Sequence, residues 1–327
     1  MSEAIPMLQE AAEDEHAAII QYLRHAYALG EGEVACEIEG IARDEMRHFW
    51  MLSRWIVQLG GQPSLVRGFV DLSGDTPSDW MERNVAAEER AIALYRESIS
   101  RTEDPALRSD LGRILADEEY HRAKFARLAE KLAAPAEGTP TPVETASPPE
   151  EAAQPAAVEA LDWGVRHEYA AILQYLFHRF LIPDEEAAEQ LELQAINEMQ
   201  HMGWLAEELH SLGGGMPLEH HEVNMAGAST AMLQADIQLE HGTAATYERF
   251  IGQIEDPGLR GLLEYIRGHE VYHEALFTRL LEEMRRLSPT GWTIGSLKEG
   301  TGTNDQRRTS EERMAKEGVG DGTDPDA

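Results

Sequence analysis

Cysteine is almost absent, with Cys36 the only one in 327 residues. That excludes an internal disulfide, a four-thiolate iron or zinc centre and a thiol pair for electron shuttling, so any redox chemistry must use other ligands. Cationic side chains are scarce too. Lys and Arg number 28 against 60 Asp and Glu, a formal charge of −32. Nucleic acid and anionic membrane both require a cationic surface, so neither is expected as a partner. A negative field gathers cations instead. No apolar run is long enough to cross a bilayer, and no basic start leads into an apolar stretch of secretion-signal type. A soluble, cytoplasmic protein is expected. Strand-type alternation is also lacking, which points to an all-α chain.

What is present is helical periodicity, arranged twice. The length and the 42% apolar fraction are enough for two domains with separate cores. Residues 135–157 lose the periodicity and fill with Pro, Ala, Thr and Glu, the composition of an extended, solvated linker. On either side, Gln21-Tyr22-Leu23 recurs as Gln174-Tyr175-Leu176 and His25 as His178, at an offset of 153. Glu103-Asp104-Pro105 recurs as Glu255-Asp256-Pro257. Asp before Pro starts a helix, because the carboxylate accepts from free amides and Pro lacks only a donor that had no partner. Gly60-Gly61 and Gly213-Gly214-Gly215 are the matching stop signals. The pattern predicts helices over 5–29, 34–59, 78–101 and 105–132, then 158–181, 185–212, 228–254 and 257–286. Each set is a four-helix bundle with one long crossover after its second helix. The expected organisation is therefore a bundle over 1–134, the linker, a second bundle over 158–287, and a disordered tail over 288–327.

One constellation stands out. The first half carries Glu15, Glu45 with His48, Glu88, and Glu118 with His121, and the second carries Glu168, Glu198 with His201, Glu240, and Glu270 with His273. Steps between the glutamates are 30, 43 and 30 residues in the first set and 30, 42 and 30 in the second. Residues three apart on a helix share a face, so each Glu and its His project together, while the solitary glutamates come from the other two helices. Four carboxylates and two imidazoles converging inside a bundle would repel one another and resist desolvation, a conflict that two divalent cations resolve. Oxygen-rich donors with two imidazoles and no thiolate suit iron or manganese. The spacing follows a known template for di-iron and di-manganese carboxylate bundles.

The chain resembles the ferritin-like superfamily, and within it bacterioferritin. The resemblance spans both halves and is strongest over Glu15-His16-Ala17-Ala18-Ile19-Ile20-Gln21-Tyr22, over Asp44-Glu45-Met46-Arg47-His48, and over Asn197-Glu198-Met199-Gln200-His201. It implies that Glu45 and Glu118 bridge two irons, that Glu15 and Glu88 cap one each, and that His48 and His121 complete the shells. In half two the bridges would be Glu198 and Glu270, the caps Glu168 and Glu240, and the imidazoles His201 and His273. Tyr22 and Tyr175, seven residues beyond the first Glu of each set, would be nearby electron donors; as ordinary core tyrosines they need no such role. Met46 and Met199 stand where the resemblance places a haem ligand at a two-fold interface, the alternative being methionines that pack a helix surface. His25 and His178 read as satisfied histidines on a helix flank or as part of a third metal site. Asp44 and Asp117 precede their Glu in half one, where half two has Asn197 and His269, so outer partners that tune the two sites differently are one reading.

The tail supplies a second signal. Gly291-Trp292-Thr293-Ile294-Gly295-Ser296-Leu297-Lys298 is an apolar island in a polar, Gly-rich segment, suited to docking as an extended peptide in a partner's groove. Ile294-Gly295-Ser296-Leu297-Lys298 resembles the cargo-loading peptide of encapsulin nanocompartments. The resemblance implies that Ile294 and Leu297 fill pockets, with Trp292 as a further anchor, and that Gly295 permits close backbone approach. Such peptides usually lie nearer the terminus, whereas 29 residues follow Lys298.

Together these features imply a tandem ferroxidase that oxidises Fe(II) with O2 or peroxide for iron storage or detoxification, carried as encapsulin cargo inside the shell, with a homo-oligomer compatible. The competing readings are a manganese catalase, a rubrerythrin-like peroxidase and a non-catalytic iron carrier. The peroxidase is disfavoured because its four-cysteine module is absent and because Ala91 and Thr243 offer no carboxylate three residues after Glu88 and Glu240.

Overall fold

The computed structural model describes residues 4–30, 32–133 and 155–287. Among them are eight helices and no strand: α1 Ala4–Leu29, α2 Glu33–Gln58, α3 Pro77–Arg101, α4 Pro105–Ala133, α5 Pro155–Leu181, α6 Glu185–Ser211, α7 Ser229–Ile251 and α8 Pro257–Leu287. Two four-helix bundles thus stand in tandem, and no helix is long and apolar enough to cross a membrane among the described residues. Within each bundle the close pairs are sequential, α1 with α2, α3 with α4, α5 with α6 and α7 with α8, and the long crossover joins the second helix of each bundle to the third.

Local chemistry sets the helix ends. Asp104 Oδ1 accepts from the amides of Ala106 and Leu107, Asp256 Oδ1 from Leu259 and Asp184 Oδ1 from Ala187, each relieving an amide that has no partner in the first turn. Gly60 and Gly213 end α2 and α6 at φ of 82° and 81°, and the amides of Gly61 and Gly214 return to the carbonyls of Ile56 and Leu209. This double hydrogen-bonded stop needs a left-handed residue, which glycine supplies without steric penalty. Two boundaries differ from expectation. Helix α5 starts at Pro155 rather than at 158, because Pro155-Ala156-Ala157 are compatible with a first turn, proline lacking only a donor that turn does not use. Helix α7 stops at Ile251 rather than at 254, where Gly252 and Gln253 turn the chain toward Asp256-Pro257. The rest of the linker, 135–154, and the tail lie outside the described residues.

The two bundles share an apolar core through α1 against α6 and α2 against α5. Since α5 and α6 repeat α1 and α2, these contacts are reciprocal, the arrangement of a two-fold interface within one chain. Repeat counterparts meet on its axis: His16 Nε2 lies 2.5 Å from the hydroxyl of Tyr169, and the two positions are 153 residues apart. Phe180 packs on Phe49 at 6.0 Å between ring centres. His16 and Tyr169 are both buried. Burial first, then the Arg67 charge, brings the imidazole of His16 down to about 4, so the pair is neutral. Replacing Tyr169 by Phe strands a buried nitrogen at the junction, and urea unfolding of Tyr169→Phe is expected to show a loss of about 1–3 kcal/mol.

Candidate metal centre

All six members of each hexad are buried, none more than 3% exposed. In half one, Glu15, Glu45, His48 and Glu118 bring one ligand atom each within 4.8 Å of one another, and so do Glu45, Glu88, Glu118 and His121. Glu45 and Glu118 belong to both groups. Half two repeats the arrangement, with Glu198 and Glu270 common to a group with Glu168 and His201 and to another with Glu240 and His273. The structure therefore brings together all twelve residues singled out by spacing, with the carboxylates assigned as bridges standing between the two groups.

Each imidazole turns Nδ1 inward. His48 Nδ1 lies 2.8 Å from Glu45 and 2.9 Å from Glu118, and His121 Nδ1 lies 3.0 Å from Glu45. In half two, His201 Nδ1 is 2.6 Å from Glu198 and His273 Nδ1 is 2.8 Å from Glu198. Burial, reinforced by neighbouring carboxylates, pushes the carboxyls of Glu15, Glu88, Glu168 and Glu270 well above the ordinary range. Burial likewise lifts Glu240 to about 8. Burial acts against the charge on Glu118 as well, but hydrogen bonds from His121 and His48 outweigh it and draw that carboxyl down to about 2. The imidazoles move the other way. Burial opposes their charge, yet hydrogen bonds to Glu118 and Glu45 raise His121 to about 10, and the charge and hydrogen bond of Glu198 raise His201 to about 11.

Protons thus hold the cluster together where cations could. The inward oxygens of Glu45, Glu118, Glu198 and Glu270 face the imidazoles of their own hexad at 2.6–3.2 Å, so the donor set is desolvated and available to metal. Hard oxygen donors with one imidazole per position fit iron or manganese.

Four tyrosines close the shell from outside. Tyr22 donates to Glu88 at 2.7 Å, and Tyr175 donates to its counterpart Glu240. Tyr95 donates to Glu15, and Tyr247 to Glu168. The last pair was missed in the sequence although its signal is plain: Tyr95 follows Glu88 by seven residues and Tyr247 follows Glu240 by seven, the step that separates Tyr22 from Glu15.

The outer faces of the imidazoles differ between halves. His48 Nε2 meets Asp117 and His121 Nε2 meets Asp44, both at 3.3 Å, whereas His201 Nε2 meets His269 Nδ1 at 2.8 Å. His273 Nε2 has no partner among the described residues. His25 and His178 lie away from both hexads, tying α1 to α3 through Asn84 at 2.9 Å and α5 to α7 through Asp236 at 2.8 Å. Met46 and Met199 line one apolar cavity of about 20 Å3 between the bundles. That is room for a water molecule. The cavity as packed does not fit a porphyrin between Met46 and Met199. The docking residues Trp292, Ile294, Gly295, Ser296, Leu297 and Lys298 lie outside the described residues.

The family model for the ferritin-like domain matches residues 5–134 and again 158–287. The chain belongs to the ferritin-like family. Protein CotJC of Bacillus subtilis (strain 168) is 25% identical over 151 residues, covering 37% of this chain and 79% of that protein. The bacterioferritin of Desulfovibrio desulfuricans, described with a diiron site, is 26% identical over 41% of this chain and 82% of its own, with a TM-score of 0.39. Bacterioferritin BfrA of Mycobacterium tuberculosis is 25% identical over 40% of this chain and 86% of its own, with a TM-score of 0.37.

Metal must displace protons from the lifted carboxyls and from the imidazoles, and both kinds of group hold protons more firmly as pH falls. Affinity of the ferritin-like chain for Mn(II) is therefore expected to weaken as pH is lowered from about 8, where Glu240 is half protonated. Calorimetric titration in two buffers of different ionisation enthalpy counts the released protons; binding without proton release contradicts the assignment.

Proposed function

We propose that each half is a ferroxidase centre, taking Fe(II) as substrate and returning Fe(III) for storage. The observation that carries this reading is the pair of buried glutamates shared by two four-ligand groups, present in both halves of a ferritin-like chain. A dinuclear pair bound there supplies two one-electron reductants side by side, so that dioxygen takes both electrons and, with two protons, leaves as hydrogen peroxide.

The chain's own residues define the rest. Glu45 with Glu118, and Glu198 with Glu270, hold the two positions together, and their charge favours the trivalent product over the divalent substrate. Glu15, Glu88, Glu168 and Glu240 cap single positions, their orientation fixed by the phenols of Tyr95, Tyr22, Tyr247 and Tyr175. We assign Tyr22 and Tyr175 as auxiliary electron donors. Where only one Fe(II) is in place, either phenol supplies the second electron that takes dioxygen to hydrogen peroxide, and its proton passes along the existing hydrogen bond to Glu88 or Glu240. Burial, with Glu88 close by, keeps the Tyr22 phenol protonated until then.

Rapid mixing of the apo chain with Fe(II) and O2 tests the reading. Wild type is expected to oxidise up to four Fe(II) per chain, one for each ligand group, well above the buffer rate. Glu45→Gln combined with Glu198→Gln should fall to that rate, and Tyr22→Phe with Tyr175→Phe should oxidise iron but lose any tyrosyl radical signal in electron paramagnetic resonance. Wild-type oxidation no faster than the buffer rate, and unchanged by the glutamate substitutions, would make the chain a carrier, and oxygen evolution from peroxide by the manganese-loaded chain alone would make it a catalase.

The segment 291–298 extends the proposal to place: its apolar anchors dock in a groove of an encapsulin shell, so that iron oxidised here mineralises inside the compartment. Co-expression with a shell protein checks this. Deletion of 291–298 is expected to leave the chain outside the shell with its oxidation rate unchanged, and encapsulation of the deleted form would refute it.

A further inference from the structure

Access to the two hexads differs. In half one a partly open cavity of about 50 Å3 lies between α1 and α3 and reaches Glu15 and Glu88. Asp14, Ala18, Ala87 and Ala91 line it beside the larger Phe69, Arg90 and Leu94. The repeat places His167 where half one has Asp14, Leu239 where it has Ala87, and Thr243 where it has Ala91. Gly242 and Thr246 stand where half one has Arg90 and Leu94, but at these three positions half two carries the larger side chains.

They are also locked together. The crossover strap of half one docks through the Gly68 amide on the carbonyl of Glu13 at 2.8 Å, and the strap of half two docks at the repeat position through the His221 amide on the carbonyl of Arg166 at 3.2 Å. Gly68 has no side chain, but His221 directs Nδ1 to within 3.3 Å of His167 Nδ1. His167 Nε2 in turn bonds the hydroxyl of Thr243. Trp163, which stands where half one has the exposed Glu10, stacks on His167 at 4.6 Å with the planes 12° apart. His167 and Thr243 are 9% and 1% exposed. The groove over this face of half two is lined by Gln174, Leu239 and residues 222–226 among others, and no member of the second hexad reaches it.

We infer that the halves divide the work: the half-one centre exchanges iron through its open passage, whereas the half-two centre, sealed by the His221–His167–Thr243 chain and Leu239, retains its metal pair as a slowly exchanging resident. This rests on the reading of both hexads as dinuclear centres. Release from half two requires local opening that breaks two hydrogen bonds and a ring stack. At about 1 kcal/mol for each bond, the opening slows release by on the order of tenfold or more.

The test loads the full apo chain anaerobically with Co(II), follows its visible absorption, and challenges it with excess EDTA. Wild type is expected to bind four Co(II), one for each ligand group, and to release them in two phases of equal amplitude with rates at least tenfold apart. Glu45→Gln removes the fast phase and so assigns it to half one. Leu239→Ala with Thr243→Ala, which opens the passage without touching a ligand, should bring the slow phase up to the fast one. The reverse exchange, Ala87→Leu with Ala91→Thr and Asp14→His, should convert the fast phase to a slow one, so the inference does not hang on one variant folding. A single phase for all four ions, or a slow phase indifferent to these changes, overturns the division between halves. A chain that takes up no Co(II) overturns the dinuclear reading itself.

Discussion

The eight glutamates of the hexads lie inside the two bundles, each no more than 3% exposed, and a carboxylate taken out of water without compensation is among the most costly things a fold can contain. Each of the surrounding features answers that cost from a different side. Phenols of Tyr22, Tyr95, Tyr175 and Tyr247 satisfy the outward oxygens of the capping glutamates. Imidazoles face the shared glutamates with Nδ1, and the outward nitrogens of His48, His121 and His201 rest on Asp117, Asp44 and His269. What remains is a ring of inward lone pairs that protons hold together at a cost and that cations fit. Long helices suit the task because they fix each donor from two or more turns of hydrogen-bonded backbone, where a loop would let the cluster spread.

The two copies keep this inner arrangement and diverge outside it. Aspartates lie behind the half-one imidazoles, where they would increase the electron donation of His48 and His121 to a bound metal, while histidine and asparagine stand at the same positions of half two. Ala87 and Ala91 border the passage above half one, where half two carries Leu239 and a Thr243 bonded to His167. Equilibrium preference and rate of exchange are separate properties, and the chain alters each with residues that touch no ligand position.

Most of this plan was legible before folding. Helix periods, Asp-Pro starts and Gly-Gly stops place the eight elements to within three residues, since each is a local backbone effect. The hexads were legible because a Glu and a His three apart share a helix face whatever the tertiary structure, and because the spacing occurs twice. Tyr95 and Tyr247 carried a signal of their own in the seven-residue step, but their relevance depends on which helices face each other. Nothing local announced the His221–His167–Thr243 chain. It joins a crossover strap to two helices through contacts that span 54 and 76 residues of sequence, and only packing brings such positions together. The early start of α5 was obscured by Pro155 itself, which reads as linker composition and as a first-turn residue equally well.

The meeting of His16 with Tyr169 has an evolutionary corollary. In a dimer of identical subunits, any substitution on the axis appears on both sides at once, so an imidazole would have to face an imidazole, or a phenol a phenol. Fusion removes that restriction: a donor can be inherited on one side and an acceptor on the other, and the pair can be selected as a lock and its key. The tandem chain is thereby guaranteed one copy of each kind of bundle, in fixed proportion and without exchange of partners, a form of heterodimer that a single gene can specify.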